Sequence, residues 1–147
     1  MDLGVERSWR GPGEGSTQET LTLLLDTHFL IWVLLGARRL ERFPWLERYR
    51  PWGISPFSLL EIQFLSEIGR LKIATPAFYE TIEADRRFLI DEPQLLAVVR
   101  EALTLRWTRD PFDRLIAAHS STRRVPLCTV DESLTRHHPL IVAELRR

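Results

Sequence analysis

The short run Leu21–Leu25, which ends at Asp26, constrains the fold of this chain more than any other feature. The run is almost entirely apolar, and its length suits a strand better than a helix. Such runs are typical of β-strands that are covered on both faces, as the strands of parallel sheets are. The run therefore predicts a buried strand with helices packed on both sides of its sheet.

Apolar runs and segments with helical periodicity alternate along the rest of the chain. Further strands are predicted at Trp52–Pro56 and Val125–Val130, and Leu140–Val142 is a possible last strand. Helices are predicted at His28–Leu35, Phe57–Ile68, Pro76–Leu89, Pro93–Leu105 and from Asp110 to about Ser120. Strands that alternate with helices pair in parallel through right-handed crossovers. We therefore predict an α/β fold with a central, mainly parallel sheet.

The beginning of the chain differs in composition from the rest. Residues 11–20, GPGEGSTQET, are rich in glycine and small polar residues, which cannot bury enough apolar area to offset the entropy of ordering them. We therefore expect residues 1–20 to form a disordered extension and residues 21–147 to form one folded domain.

Charge, hydropathy and cysteine content limit the partners and compartments that the sequence suggests. Twenty basic residues balance twenty acidic ones, so any site for a polyanion must be local. No apolar stretch approaches the ~20 residues of a membrane-spanning helix, and the first 20 residues lack the pattern of a secretory signal. The single cysteine, Cys128, cannot form an internal disulfide. We expect a cytoplasmic protein without a membrane segment.

Two acids follow predicted strands directly. Asp26 comes after the first strand, and Asp131 comes just after Val125–Val130. Ligands of parallel α/β sheets bind beyond the carboxyl ends of the strands, which makes both acids candidates for a functional site. An aspartate in either place also serves as a turn residue or helix cap, and this alternative stays open.

Two further acids lie near predicted helix starts. Ser58 and Glu61 match the capping-box pattern, in which a serine and a glutamate satisfy free backbone donors reciprocally. Asp110 is placed to cap the next such helix, with Pro111 at its first position and Asp113 at its third. Capping alone could explain Glu61 and Asp113, although it is compatible with a role at the same edge of the sheet.

Four carboxylates at one edge would repel one another unless they were protonated or bridged by cations. A set of oxygen ligands favours Mg²⁺ or Mn²⁺, and the four histidines are too scattered to suggest a zinc site. His28 and His119 are interpreted as packed or surface residues, and Arg109 and Arg114 as weak candidates for phosphate contact. The candidate catalytic and metal-binding residues are Asp26, Glu61, Asp113 and Asp131.

Four segments, in order, resemble the PIN-domain ribonuclease toxins of VapBC toxin–antitoxin systems: LLLDTHFLIW, ISPFSLLEI, RDPFDRLIAA and LCTVDESL. The resemblance extends from Leu21 to about Val142. It implies a three-layer PIN fold and metal-binding roles for the same four acids, with Thr129 as a hydrogen-bonding residue. Asp110 is interpreted as a cap or supporting residue, because it lies where a helix start favours an oxygen acceptor.

The resemblance also implies a function and partners. It predicts an endoribonuclease that depends on Mg²⁺ or Mn²⁺ and cleaves RNA with activated water. It further implies a homodimer, and a cognate VapB-like antitoxin whose segment lies in a groove formed by residues of the two early helices, among them Trp32, Leu35, Phe64 and Leu65. The alternative is a non-catalytic metal-binding or regulatory α/β protein whose acids cap helices. A phospho-receiver version is disfavoured because the only lysine is Lys72.

Overall fold

A parallel sheet with the strand order β3-β2-β1-β4 organises the described part of the chain, residues 20–73 and 77–146 of a computed structural model. The strands are β1 (Leu24–Leu25), β2 (Trp52–Ile54), β3 (Phe88–Ile90) and β4 (Leu127–Cys128). All three pairings are parallel. Along the chain the sheet grows from β1 to β3 on one side, and β4 then pairs on the other side of β1. The strand order therefore reverses between β1 and β4.

The helices connect and cover these strands. They are α1 (Thr27–Leu35), α2 (Pro56–Glu67), α3 (Ala77–Ala84), α4 (Leu95–Leu103), α5 (Pro111–Arg123) and α6 (Glu132–His137). Short 3₁₀ segments occur at Arg38–Arg42, Pro44–Tyr49 and Ala143–Leu145. Helix α1 ends at Gly36, whose φ of 63° is the left-handed conformation that glycine adopts without strain.

The first strand is buried on both faces, as its sequence predicted. Leu23 and Leu25 pack into a core with residues of α1 and α2, whereas Leu24 packs on the opposite face against residues such as Ile116 of α5. The three side chains are at most 1% exposed. Two cores on opposite faces of one sheet confirm the predicted α/β fold, in which helices cover both faces.

The prediction of one helix over Pro76–Leu89 was wrong at its end. The helix stops at Ala84, and Phe88–Ile90 forms the edge strand β3. Only three residues make this strand, and they pair with Trp52–Ile54 from a distant part of the chain, so local periodicity does not reveal it. The possible last strand is reduced to a single parallel bridge between Leu127 and Ile141.

The expected disordered extension falls almost wholly on residues 1–19, which lie outside the described residues. Among the helices of residues 20–73 and 77–146, none combines the length and the apolar character that crossing a membrane requires.

Candidate active site

Asp26 and Asp131 lie beyond the carboxyl ends of β1 and β4, the two strands between which the strand order reverses. Asp26 is buried and Asp131 is partly buried. Thr129 joins them: its hydroxyl donates to Asp26 Oδ2 at 2.7 Å and accepts from the backbone N–H of Asp131 at 3.0 Å. Two acids that are 105 positions apart in the sequence therefore share one hydrogen-bonding residue.

Both of these acids also cap helices. Asp26 Oδ1 accepts from the backbone N–H of Thr27 at 2.7 Å, at the start of α1. Asp131 Oδ1 accepts from the N–H of Leu134 at 2.9 Å, at the start of α6. The capping alternative therefore describes these two residues correctly, and it leaves Oδ2 of Asp131 outside the cap.

The capping box expected at Ser58 and Glu61 is not formed. Helix α2 begins at Pro56, and Ser55 is its cap, accepting from the N–H of Phe57 at 3.2 Å. The earlier start follows from Pro56, whose missing N–H and fixed φ suit the first helical position. Ser58 instead accepts from the Thr27 hydroxyl at 2.9 Å. Glu61 thus falls in the second turn of α2, where it caps nothing.

The start of α5 is as predicted. Asp110 Oδ1 accepts from the N–H groups of Phe112 at 2.8 Å and Asp113 at 3.4 Å, with Pro111 at the first helical position. Asp110 therefore satisfies the cap, and the side chain of Asp113 is not needed for it. Arg114 donates to the Thr108 carbonyl at 2.8 Å, so its guanidinium is already engaged within this segment.

The electrostatics indicate that the acids lie together. The pKa of Asp113 is raised to about 7, first by burial and then by the charges of Asp110, Asp131, Asp26 and Glu61, in that order. Burial likewise raises the pKa of Glu61, with Asp26 and Asp110 adding to the shift. The pKa of Asp26 is raised because burial outweighs its hydrogen bonds. Their mutual repulsion disfavours full ionisation of the cluster at neutral pH.

A divalent cation is the ligand that such a cluster suits. The donors are carboxylate oxygens and a threonine hydroxyl, which match Mg²⁺ or Mn²⁺ better than zinc. Within residues 20–73 and 77–146, no three His, Cys, Asp or Glu side chains stand in an arrangement that could already hold a metal ion. The charge and chemistry of the cluster therefore fit a metal, whereas a formed set of ligands is not present.

A cleft of about 780 Å³ opens beside Glu61 and Asp110. Its walls combine apolar side chains with one arginine, Arg70, and the rings of Phe64 and Phe112 face each other there at 5.9 Å between centroids. The other lining residues are His28, Ile31, Leu65, Leu71 and Pro111. Of the clustered acids, Glu61 and Asp110 line this cleft.

A second polar cluster was not predicted. His119 is fully buried, with Nδ1 at 2.8 Å from Ser55 Oγ and Nε2 at 2.8 Å from Asp91 Oδ2. The residue types match a catalytic triad, but Ser55 is also fully buried and its oxygen caps α2, so it cannot reach a substrate. His119 is thus packed, as expected, and His28 is exposed. Asp91 follows β3 and would have been found by its strand-end position had that strand been predicted.

The fold and the site together define a class: a parallel α/β domain with a cluster of carboxylates where the strand order reverses. The family model described as the PIN domain matches residues 23–138 of the chain. This chain therefore belongs to the PIN domain family. A solved toxin–antitoxin complex from Klebsiella pneumoniae is similar in fold, with 21% sequence identity and a TM-score of 0.57 over 86% of this chain and 100% of that chain. The comparison with curated proteins found no match.

The raised pKa of Asp113 predicts how stability depends on pH without metal. Its unfolded pKa is about 3.9, so the folded state holds an extra proton between about pH 4 and pH 7 and loses relative stability as the pH rises through this range. Asparagine does not titrate, so Asp113→Asn does not lose stability in this way. In chelator, the difference in melting temperature between Asp113→Asn and the wild type should therefore be more positive at pH 8 than at pH 5.

Glu80→Gln, which changes an exposed acid on α3, is the control and should show no such pH-dependent difference. An offset between Asp113→Asn and the wild type that is the same at both pH values would contradict the repulsion argument.

Proposed function

We propose that this chain is a metal-dependent endoribonuclease and the toxin of a type II toxin–antitoxin pair. PIN domains are generally nucleases, which supports hydrolase activity. The observation that carries the proposal is the convergence of Asp26, Glu61, Asp113 and Asp131 at the strand reversal, where burial and mutual repulsion raise the pKa of Asp113 to about 7. A cation would relieve that repulsion.

Each acid would contribute differently to holding Mg²⁺ or Mn²⁺. Asp26 is fixed by Thr129 and by the start of α1, and Asp131 by its own cap, so these two provide rigid oxygens. Ser55 and Asp110 cap the helices of Glu61 and Asp113, so the carboxylates of these two acids are not held by a helix start. The bound ion would supply activation of water and neutralisation of phosphodiester charge. Water would add to phosphorus and release a proton, the P–O bond to the leaving oxygen would break, and that oxygen would take up a proton.

The substrate we propose is single-stranded RNA. The cleft beside Glu61 supports an extended strand, because it offers aromatic faces at Phe64 and Phe112 and a cation at Arg70. Unpaired bases stack on aromatic rings, and phosphates pair with arginine. The choice of RNA over DNA rests on the sequence resemblance.

A non-catalytic role is the second candidate, and the capping bonds of Asp26, Asp110 and Asp131 favour it. In that case the acids hold helix starts or a structural ion, and no hydrolysis takes place. Asparagine caps a helix about as well as aspartate does. An Asp→Asn change therefore separates the two roles, because it keeps the cap and removes the charge.

Asp26→Asn should retain the melting temperature within a few degrees and lose at least about 100-fold of the rate of RNA cleavage in Mg²⁺ or Mn²⁺. Cleavage is measured on single-stranded RNA, with DNA of the same sequence as a second arm and chelator as a blank. Glu80→Gln should cleave as the wild type does. Equal cleavage by the wild type and Asp26→Asn would overturn the proposed site, and cleavage of DNA alone would overturn the substrate.

We propose a VapB-like antitoxin as the protein partner, and the solved toxin–antitoxin complex of similar fold supports this. Leu35 on α1 and Phe64 on α2 are 57% and 45% exposed, whereas Trp32 and Leu65 pack partly against the core. A groove lined by Leu34, Leu35, Ile73 and Phe78 begins at the end of α1. An apolar segment of the partner would cover these side chains.

Leu35→Asp should therefore weaken association with the proposed VapB-like antitoxin by at least about tenfold, because it places a charge in an apolar interface. The two chains are co-expressed and their affinity is measured by calorimetry. Arg86→Asp provides the control, because it places a carboxylate at an exposed position outside both proposed interfaces, and it should keep the affinity. Equal affinities for the wild type and Leu35→Asp would refute this docking site.

We also propose a homodimer, formed through α4. Leu95, Leu96, Val99 and Leu103 make one apolar stripe on this helix, and three of them are more than half exposed within the described part of the chain. The opposite face, with Val98 and Ala102, packs in the core. A large exposed apolar stripe on one helix is typical of a surface that pairs with another copy.

Leu96→Asp should shift the protein from dimer to monomer at micromolar concentration, as measured by sedimentation equilibrium, while Leu35→Asp should not. If Leu96→Asp and the wild type sediment with the same mass, the α4 stripe is not the dimer interface.

A further inference from the structure

His119 connects the two helices that carry the acids without capping roles. It lies on α5, which carries Asp113, and its Nδ1 contacts Ser55, which caps α2, the helix of Glu61. Its Nε2 contacts Asp91 at the end of β3. A single buried imidazole thus joins α5 to the start of α2 and to the sheet.

The hydrogen bonds of this cluster fix where the proton of His119 lies. Burial holds the pKa of His119 below its usual value, so the ring is neutral. The Asp91 carboxylate only accepts, and Nε2 must therefore donate to it. Nδ1 is then an acceptor for the Ser55 hydroxyl, whose oxygen accepts in turn from Phe57 N–H. Both ring nitrogens are satisfied, and the ring has no free position for proton transfer to a substrate.

Asp91 holds α5 at a second point. Arg123, one turn beyond His119, donates to both Asp91 oxygens, at 2.9 and 3.0 Å. Burial raises the pKa of Asp91, but the hydrogen bonds from Arg123 and His119 outweigh it and hold the pKa below its usual value. The carboxylate is therefore ionised and paired. The backbone N–H of Asp91 donates to Ile54 at 2.9 Å, so this anchor belongs to the sheet itself.

Hydrogen bonds of this kind fix the position and rotation of α5 more closely than apolar packing does. The sheet-facing side of α5 includes Ile116 and Ala117, and the hydrophobic contacts of such side chains have no preferred direction. Hydrogen bonds weaken steeply when their angles change. Asp113 lies six positions before His119, about 9 Å along the helix axis, so a displacement at His119 is carried rigidly to Asp113.

We propose that His119 is a positioning residue for the metal site: through Ser55 and Asp91 it sets the place of α5, and hence of Asp113, relative to Glu61 on α2. The role in metal binding and catalysis rests on the proposed function. The role in placing the start of α5 does not, and it can be tested without metal.

Two substitutions each remove one half of the contact. The amide of asparagine reaches about as far as Nδ1 and that of glutamine about as far as Nε2, so His119→Asn keeps the contact to Ser55 and His119→Gln keeps that to Asp91. Val98 on α4 packs with Ala118, which lies on α5 as His119 does. Val98→Ala is the matched control, because it removes buried apolar contacts to α5 and leaves the hydrogen bonds unchanged. Asp91→Asn replaces either variant if that variant does not fold.

In chelator, NMR should show that the backbone amide signals of Phe112, Asp113 and Arg114 shift in both His119 variants and stay in place in Val98→Ala. With Mn²⁺, calorimetry should show metal binding weakened by about 10- to 100-fold in the His119 variants, and kcat for RNA should fall with little change in KM. Val98→Ala should lower the melting temperature and leave the metal affinity unchanged.

Each outcome decides a separate point. Unmoved amide signals in the His119 variants overturn the positioning role whatever the activity. Shifted amides with metal affinity and kcat within twofold of the wild type limit His119 to structural support and overturn the proposal. A wild-type chain that neither binds Mn²⁺ nor cleaves RNA refutes the proposed function, and then His119 places the start of α5 for no metal site.

Discussion

The parallel pairing of β1 with β2 on one side and β4 on the other is the constraint on which the site depends. Parallel strands end at the same edge of a sheet, so every residue that follows one of them is brought to that edge. Asp26, Ser55, Asp91 and Asp131 all follow strands in this way. The strand order reverses between β1 and β4, so Asp26 and Asp131 follow the two strands at which the order changes.

Capping and metal binding do not compete for these acids. A carboxylate has about four lone-pair positions on two oxygens, and a cap occupies only one of them. The caps at Asp26 and Asp131 hold the side chains in one orientation, which reduces the entropy that a ligand-binding residue loses when an ion arrives. Glu61 and Asp113 do not cap their helices, and their pKa values are raised by burial and by the neighbouring carboxylate charges.

The sequence predicted the features that depend on local rules. A buried apolar strand, the glycine end of α1 and the Asp110-Pro111 start of α5 were each found from neighbouring residues. Local rules were misleading at Ser58, because two serines three positions apart both suited a cap and the role of Pro56 decided between them. The metal-binding roles of the four acids remain predictions, although the structure places their charges within reach of one another.

Features that depend on pairing between distant segments of the chain could not be predicted from neighbouring residues. Strand β3 is held by its partner β2 rather than by its own pattern, and Asp91 and its bond to His119 were missed with it. A cluster of repelling carboxylates tends to spread apart, so contacts other than those among the carboxylates must oppose that tendency. The bonds of Thr129 to Asp26 and of His119 to Ser55 oppose it from the sheet and from α2, where the carboxylates themselves provide no attraction.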